Sequence, residues 1–400
     1  MQTLLENSSK DVFAEDWRNG GFGLYIHWPY CEAKCPYCDF NSHVSREIDQ
    51  SRWSRAYLIE IERAAKAYPD RVLNTVFFGG GTPSLMDPDI VHALIDAIKS
   101  HWTTANDLEI TLEANPSSVE AKRFQAYSDA GVTRVSMGIQ ALNDRDLRRL
   151  GRVHNAAEAK QAFDIARKYF DRVSFDLIYA RQGQTLEQWR DELSEALSMA
   201  IDHLSLYQLT IEPGTVFASL YNRGKLRDLP DEDLSGDMYD LTQEICEKYG
   251  MPAYEVSNHA RPGAESRHNL IYWRYGDYVG IGPGAHGRVT LGERRYATEA
   301  FSNPDRWLNA VPDGSVLTSK AALDPATQAD EYLMMSLRLS EGMSLSRYES
   351  LAGKALSAST LGYLTEIGMI DASYDRVKAT QQGRVVLNSV IRELLSVGTQ

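Results

Sequence analysis

The chain has 400 residues, 43% of them hydrophobic and 24% charged, with a formal charge of -13. That length can bury a sizeable core and, as a prior, makes two domains or one large domain with an appendage. The acidic balance opposes nonspecific nucleic-acid binding, which needs clustered Lys and Arg to displace counterions, so small molecules or proteins are the expected partners.

The first twenty residues include Glu6, Asp11, Glu15 and Asp16 and lack the basic start and apolar stretch of a secretory signal. No apolar run reaches the roughly eighteen residues of a transmembrane helix, and the expected location is cytoplasmic. From residue 24, short β-rich runs alternate with helical patterns, as in successive βα units around a parallel sheet. The runs are Leu24 to Trp28, Thr75 to Phe78, Leu108 to Leu112, Arg134 to Ile139, Val173 to Ile178 and His203 to Leu209. Arg52 to Tyr68, Ile90 to Ile98 and Leu186 to Ala200 carry apolar residues at helical spacing. Gly79 to Thr82, Glu113, Gln140 and Tyr207 fall at or just past the ends of runs, where β/α barrels collect their chemistry. Asp176 lies inside its run, where an unpaired carboxylate is costly, so it needs a partner such as a ligand hydroxyl. After residue 212 the pattern loosens into Gly- and Pro-rich segments, including Ile281 to Gly287, which read as an irregular lid. A helical block follows from about Ala326, with Leu333 to Leu339, Ser346 to Leu351, Thr360 to Ile367, a small hairpin and Gly383 to Leu395. It reads as a compact winged-helix appendage without a basic stripe.

Three of the four cysteines stand together, Cys31-Glu32-Ala33-Lys34-Cys35-Pro36-Tyr37-Cys38, directly after the first run. The C-x3-C-x2-C spacing lets three thiolates converge on one inorganic centre, and a cubane 4Fe–4S cluster held by three protein ligands keeps one iron open. The open iron can chelate the amino and carboxylate groups of S-adenosylmethionine (SAM). A zinc site and an unmetallated core are the alternatives. Structural zinc takes four closed ligands, and Cys246 lies far along the chain on a predicted helix, Asp237 to Tyr249, where it reads as a small buried hydrophobe.

Tyr25 to Cys31, Phe78 to Pro83, Leu112 to Pro116, Ser136 to Gln140, Arg152, Asp176 to Tyr179, His268 to Trp273 and Gly280 to Gly287 together resemble the radical-SAM family containing oxygen-independent coproporphyrinogen III oxidase and a heme-chaperone branch. The resemblance runs from residue 24 to the C-terminus. It implies an α/β fold, a partial (β/α)6 radical-SAM barrel followed by a lid region and a small C-terminal winged-helix-like domain. The boundaries are a short N-terminal extension 1–23, barrel 24–212, a lid or extension packed on the barrel 213–320 and a C-terminal winged-helix-like domain 321–400. It further implies that Cys31, Cys35 and Cys38 hold the cluster and that Tyr25 and Tyr37 flank the cluster and SAM. Gly80, Gly81 and Thr82 would meet the amino-acid end of SAM, with Glu113, Gln140, Arg152 and Asp176 completing the site. Taken singly, the glycine strip reads as a turn, Glu113 as a helix cap and Arg152 as a solvated charge. Their common position at strand ends after the cysteine loop favours one site. The chain departs from the family's Tyr-Gly-Leu-Pro at Tyr179-Ala180-Arg181-Gln182, which predicts a changed loop there.

Oxidases of this family carry a fourth cysteine two places after the third, whereas Cys38 is followed by Asp39-Phe40. Cys38 to His43, the motif His268 to Trp273 and the short N-terminal extension resemble the chaperone branch instead. That resemblance implies heme as a further ligand and heme-requiring clients such as respiratory enzymes as partners, and it admits a homodimer. His268 is the candidate heme contact, with Tyr272 and Trp273 packing on the porphyrin, and a histidine bonded inside the lid is the alternative. His286 is a second candidate, and His27 and His43 read as supports of the cluster loop. The competing function is catalysis, by porphyrinogen decarboxylation or radical methylation.

Overall fold

The computed structural model describes residues 15–45 and 47–396. The strands of its main sheet are β1 Phe22–Trp28, β2 Val72–Gly80, β3 Thr103–Ala114, β4 Arg134–Gln140, β5 Arg172–Tyr179, β6 His203–Gln208, β7 Asn258–Ala260, β8 Asp277–Ile281, β9 His286–Leu291, β10 Arg294–Ala300 and β11 Leu317–Ala322. They lie in the order β11-β10-β9-β8-β1-β2-β3-β4-β5-β6-β7. β8 and β1 to β6 run parallel, and antiparallel strands extend both edges. All six β-rich runs of the sequence form parallel strands, joined by helices that include Gln50–Ala67, Pro88–His101 and Leu186–Met199.

Side chains alternate across a strand, so each strand divides into two chemistries. Leu24, Ile26, Val76, Phe78, Ile110, Leu112, Val135, Met137, Phe175 and Leu204 belong to one buried apolar cluster. The helices supply its other half: on Gln50–Ala67, Trp53, Ala56, Tyr57, Ile61 and Ala64 recur at helical spacing and are buried. The opposite face carries the registered rows Thr111–Arg134 and Glu113–Ser136–Ser174, with Asp176 beside Ser205. This polar face lines the inside of the curved sheet. The helix starts are capped as the sequence allows: Asn155 and Glu158, and Thr185 and Gln188, form reciprocal capping boxes.

Residues 213–320, expected as an irregular lid, instead supply five strands of the same sheet. Gly280 explains the misreading. A Cβ there would meet the His286 carbonyl oxygen at 2.1 Å, so the glycine serves close backbone packing between β8 and β9. An ion network fixes this extension: Asp277, 0% exposed, pairs with Arg295 at 3.0 Å and Arg71 at 3.2 Å. The C-terminal domain begins with helix Pro325–Ser336 and forms a three-stranded sheet with helices Leu345–Ala352, Ala358–Glu366 and Leu387–Ser396, a winged-helix arrangement with its own core. Arg347 reaches from it to Asp16 at 2.8 Å, and Glu331 pairs with Arg288 at 2.8 Å. Among the described residues, no helix is long and apolar enough to cross a membrane.

Candidate active site

The loop after β1 brings Cys31, Cys35 and Cys38 to the wall of one cavity, whose empty space is about 730 Å³ including its open mouth. All three thiols are free and partly exposed. Burial is the main cause that raises the thiol pKa values of Cys31 and Cys38, with the neighbouring thiols adding to it. A cationic metal centre reverses that preference by binding the thiolate. Among the described residues, no three His, Cys, Asp or Glu side chains converge closely enough for a single metal ion. Three thiols in one loop match the three protein ligands of a 4Fe–4S cluster with an open iron, whereas a structural zinc takes four.

The rest of the cavity comes from strand ends. Gly80, Gly81 and Thr82 follow β2, Glu113 ends β3, Gln140 ends β4 and Asp176 lies in β5. Gly80 has φ 110°, and a Cβ would strike the His27 ring at 2.6 Å; one on Gly81 would strike the Tyr30 carbonyl at 2.6 Å. The glycine strip is thus required by packing against β1, which leaves its backbone facing the cavity. The Gly80 N–H donates to Glu113 Oε2 at 3.1 Å. Burial, then the neighbouring Asp176 charge, pushes the Glu113 pKa up to about 8, and burial pushes that of Asp176 up to about 6. Two carboxyl groups held reluctant to ionise in one cavity would ionise more readily beside a cation.

Arg152 joins the two halves. It donates to Cys35 Sγ at 3.3 Å, Asn115 Oδ1 at 2.6 Å and the Gly138 carbonyl at 2.8 Å. Asn115 in turn donates to Thr82 Oγ1 at 3.1 Å. Asn115 and Ser136 both line the cavity and were not among the residues expected from sequence, although they stand within the Leu112 to Pro116 and Ser136 to Gln140 motifs. Tyr37 lines the cavity and packs on Phe217. Tyr25 does not reach it: its hydroxyl meets His27 Nδ1 at 2.9 Å, and its ring stacks on Phe77. Cys246 is fully buried on helix Glu232–Lys248, apart from the cavity, with its thiol pushed up to about 12 by burial.

The departure at Ala180-Arg181 has a defined structure. Ala180 adopts φ 55°, the left-handed conformation that glycine takes without strain. Arg181, 4% exposed, donates to the Ile178 carbonyl at 2.6 Å and the Gln140 carbonyl at 3.4 Å, and pairs with Glu192 and with Asp146 at 3.1 Å. Glu192 also accepts from Leu142 N at 2.7 Å. The network clamps the chain around Gln140, itself held at φ 73°, and anchors the helix Asp144–Arg149 that leads to Arg152.

His268 requires a correction. Its ring is 1% exposed on helix Arg267–Trp273, which plugs the polar interior of the barrel. Nδ1 meets Thr75 Oγ1 and Nε2 meets the Tyr272 hydroxyl, each at 2.7 Å, and the ring stacks on Phe77 at 5.0 Å. Burial drives its pKa down to about 3. Both nitrogens are committed and no face is open, so His268 offers nothing to heme iron, and Tyr272 is spent on it.

A three-cysteine loop over strand-end glycines and carboxylates on a curved parallel sheet defines a radical-SAM protein. Residues 25–196 match the Radical SAM superfamily and residues 323–386 the HemN C-terminal domain. The chain is 37% identical over 383 residues to "Heme chaperone HemW" of Haemophilus influenzae, covering 93% of this chain and 97% of the relative. It is 36% identical to "Heme chaperone HemW" of Escherichia coli, covering 93% and 98%. It is also 37% identical to "Radical S-adenosyl methionine domain-containing protein 1, mitochondrial" of Mus musculus, covering 93% and 87%. The solved coproporphyrinogen III oxidase HemN from Escherichia coli superposes with a TM-score of 0.79 at 21% identity, covering 97% of this chain and 93% of that one, a likeness of fold. The chain belongs to the HemW family of radical-SAM proteins, and that membership implies a 4Fe–4S cluster, SAM and heme.

Proposed function

We propose that this protein is a cytoplasmic heme chaperone of the radical-SAM type, which takes up heme and delivers it to heme-requiring proteins such as respiratory enzymes. The observation that carries the reading is near-full-length similarity to proteins named heme chaperones, in a chain whose third cluster cysteine is followed by Asp39-Phe40 rather than a fourth cysteine. Cys31, Cys35 and Cys38 would hold the cluster. When bound, the cluster and SAM supply one-electron chemistry at the open iron.

The protein's own residues define what surrounds that centre. Arg152 sets a fixed positive charge against the Cys35 sulfur. Glu113 and Asp176 receive the cationic end of SAM, and the backbone of Gly80 to Thr82 borders it. Gln140 and Asn115 offer amide groups from the ends of neighbouring strands.

The test is anaerobic reconstitution followed by heme titration and transfer. The protein is expected to bind heme stably and to activate an apo heme enzyme with it. Turnover of coproporphyrinogen III to a vinyl product would establish the competing catalytic reading, and absence of heme uptake would sink the chaperone.

A further inference from the structure

The segment Leu150-Gly151-Arg152 meets the cysteine loop residue by residue, in reverse order. Leu150 is 2% exposed in a small apolar cluster on which Tyr37 packs. Gly151 lies against Pro36, where a Cβ would stand 2.6 Å from the proline Cδ. Arg152 reaches Cys35 Sγ at 3.3 Å.

Local structure fixes this segment before any ligand is present. It closes helix Asp144–Arg149: the Gly151 N–H donates to the Arg148 carbonyl at 3.1 Å and the Arg152 N–H to the Leu147 carbonyl at 2.9 Å, with Gly151 at φ 69°. That pair of bonds around a left-handed glycine is a Schellman cap, which turns the chain out of the helix in a set direction. The helix is itself held from Asp146 by buried Arg181 at 3.1 Å. Gly151 is therefore required twice, by the cap and by the approach to Pro36.

The guanidinium is fixed as firmly as its backbone. Nη2 donates to Asn115 Oδ1 at 2.6 Å and to the Gly138 carbonyl at 2.8 Å, which takes both of its hydrogens, while Nη1 faces the sulfur. Nε is buried without a partner, and Arg152 forms no ion pair with a carboxylate among the described residues. The chain thus places an uncompensated positive charge, in one orientation, against a cluster ligand.

We propose that Arg152 is a tuning residue of the cluster, whose guanidinium raises the reduction potential through its N–H bond to Cys35 Sγ, with the Gly151 cap as the device that positions it. This rests on the reading that Cys31, Cys35 and Cys38 hold a 4Fe–4S cluster. Accepting one electron adds a negative charge to such a cluster, and a nearby fixed cation stabilises the reduced form more than the oxidised one. Hydrogen bonds to the cysteine sulfurs act in the same direction, and both effects strengthen where water is scarce.

The test is a redox titration of the anaerobically reconstituted full-length protein without SAM, with dithionite as reductant and the reduced cluster read by electron paramagnetic resonance. Omitting SAM separates an effect on the cluster from any contact with that ligand. Arg152→Gln is expected to lower the ratio of reduced to oxidised cluster about tenfold at the midpoint of the unsubstituted protein, about 59 mV for a one-electron couple. Arg152→Lys, which keeps the charge, should shift it by less than half as much. Gly151→Ala, which displaces the guanidinium without removing it, should move the midpoint the same way. An unchanged midpoint in Arg152→Gln with full iron content would overturn the tuning role, and one in Gly151→Ala would overturn the role of the cap. Loss of the cluster from Arg152→Gln but not from Arg152→Lys would support the need for charge, whereas loss from both would overturn it. Failure of the unsubstituted protein to assemble a 4Fe–4S cluster would overturn the underlying reading instead.

Discussion

The cavity end of the barrel and its plugged interior are made of the same kinds of side chain and treat them in opposite ways. Inside, His268, Thr75 and Tyr272 satisfy one another, and Arg134 meets Ser174 at 2.7 Å. At the cavity, burial keeps Glu113 and Asp176 reluctant to ionise side by side, and three thiols line the same wall. A polar residue on the inner face is therefore no sign of function in itself. What marks the site is a polar group whose remaining partner is not protein.

The largest effect that would break this contrast concerns the thiols. Replacing any one of Cys31, Cys35 and Cys38 by Ser should abolish the cluster's absorption and its iron after reconstitution. A variant that keeps a full cluster would show that the loop does not hold it. Next, Arg181→Leu should cost about 3–5 kcal/mol in denaturant unfolding, since Glu192 is left charged and buried without its guanidinium. The double variant Arg181→Leu, Glu192→Leu should recover much of that loss. If Gln140 depends on this clamp, isothermal titration should show weaker SAM binding in both.

His268→Ala should destabilise by about 2–4 kcal/mol, because it removes a buried ring and leaves two hydroxyls unpaired. Heme affinity per folded molecule should not change, and a selective loss of heme binding would reopen the interior as the cargo site. The smallest effect is a pH dependence. Glu113 and Asp176 bind protons more tightly folded than unfolded, so their contribution to the stability of the ligand-free protein is greatest at acid pH. It is lost as pH rises from the ordinary carboxylate range of 3.8–4.5 through about 6 and about 8. SAM binding should run the other way, strengthening as Glu113 ionises near pH 8. Glu113→Gln should flatten both profiles, and unchanged pH profiles would remove Glu113 from the cation receptor.

Much of this was legible from residues alone where the signal is local. The parallel strands announced themselves as short β-rich runs, and the strand-end positions of Gly80 to Thr82, Glu113 and Gln140 followed from them. The added strands of residues 213–320 were not legible. β8 is five residues long and pairs with β1, more than 240 positions earlier, and nothing in its own pattern states that partner. Tyr25 was misplaced for a related reason. Its position on the inner face is correct, but its hydroxyl is taken by His27, two residues on in the same strand.

The amino-acid sequence by itself determined the cysteine loop, the order of the βα units and the membership these imply, because spacing and alternation are properties of neighbouring residues. Only the tertiary structure decided which polar groups are spent. Motif matching assigned heme to His268, yet Thr75 and Tyr272 close on it from β2 and its own helix. His286, inside a segment that read as irregular, is exposed at the start of a strand, and its ring makes no hydrogen bond among the described residues. Whether a lone pair is available depends on every group packed around it, and those groups are brought there by folding rather than by proximity in the chain.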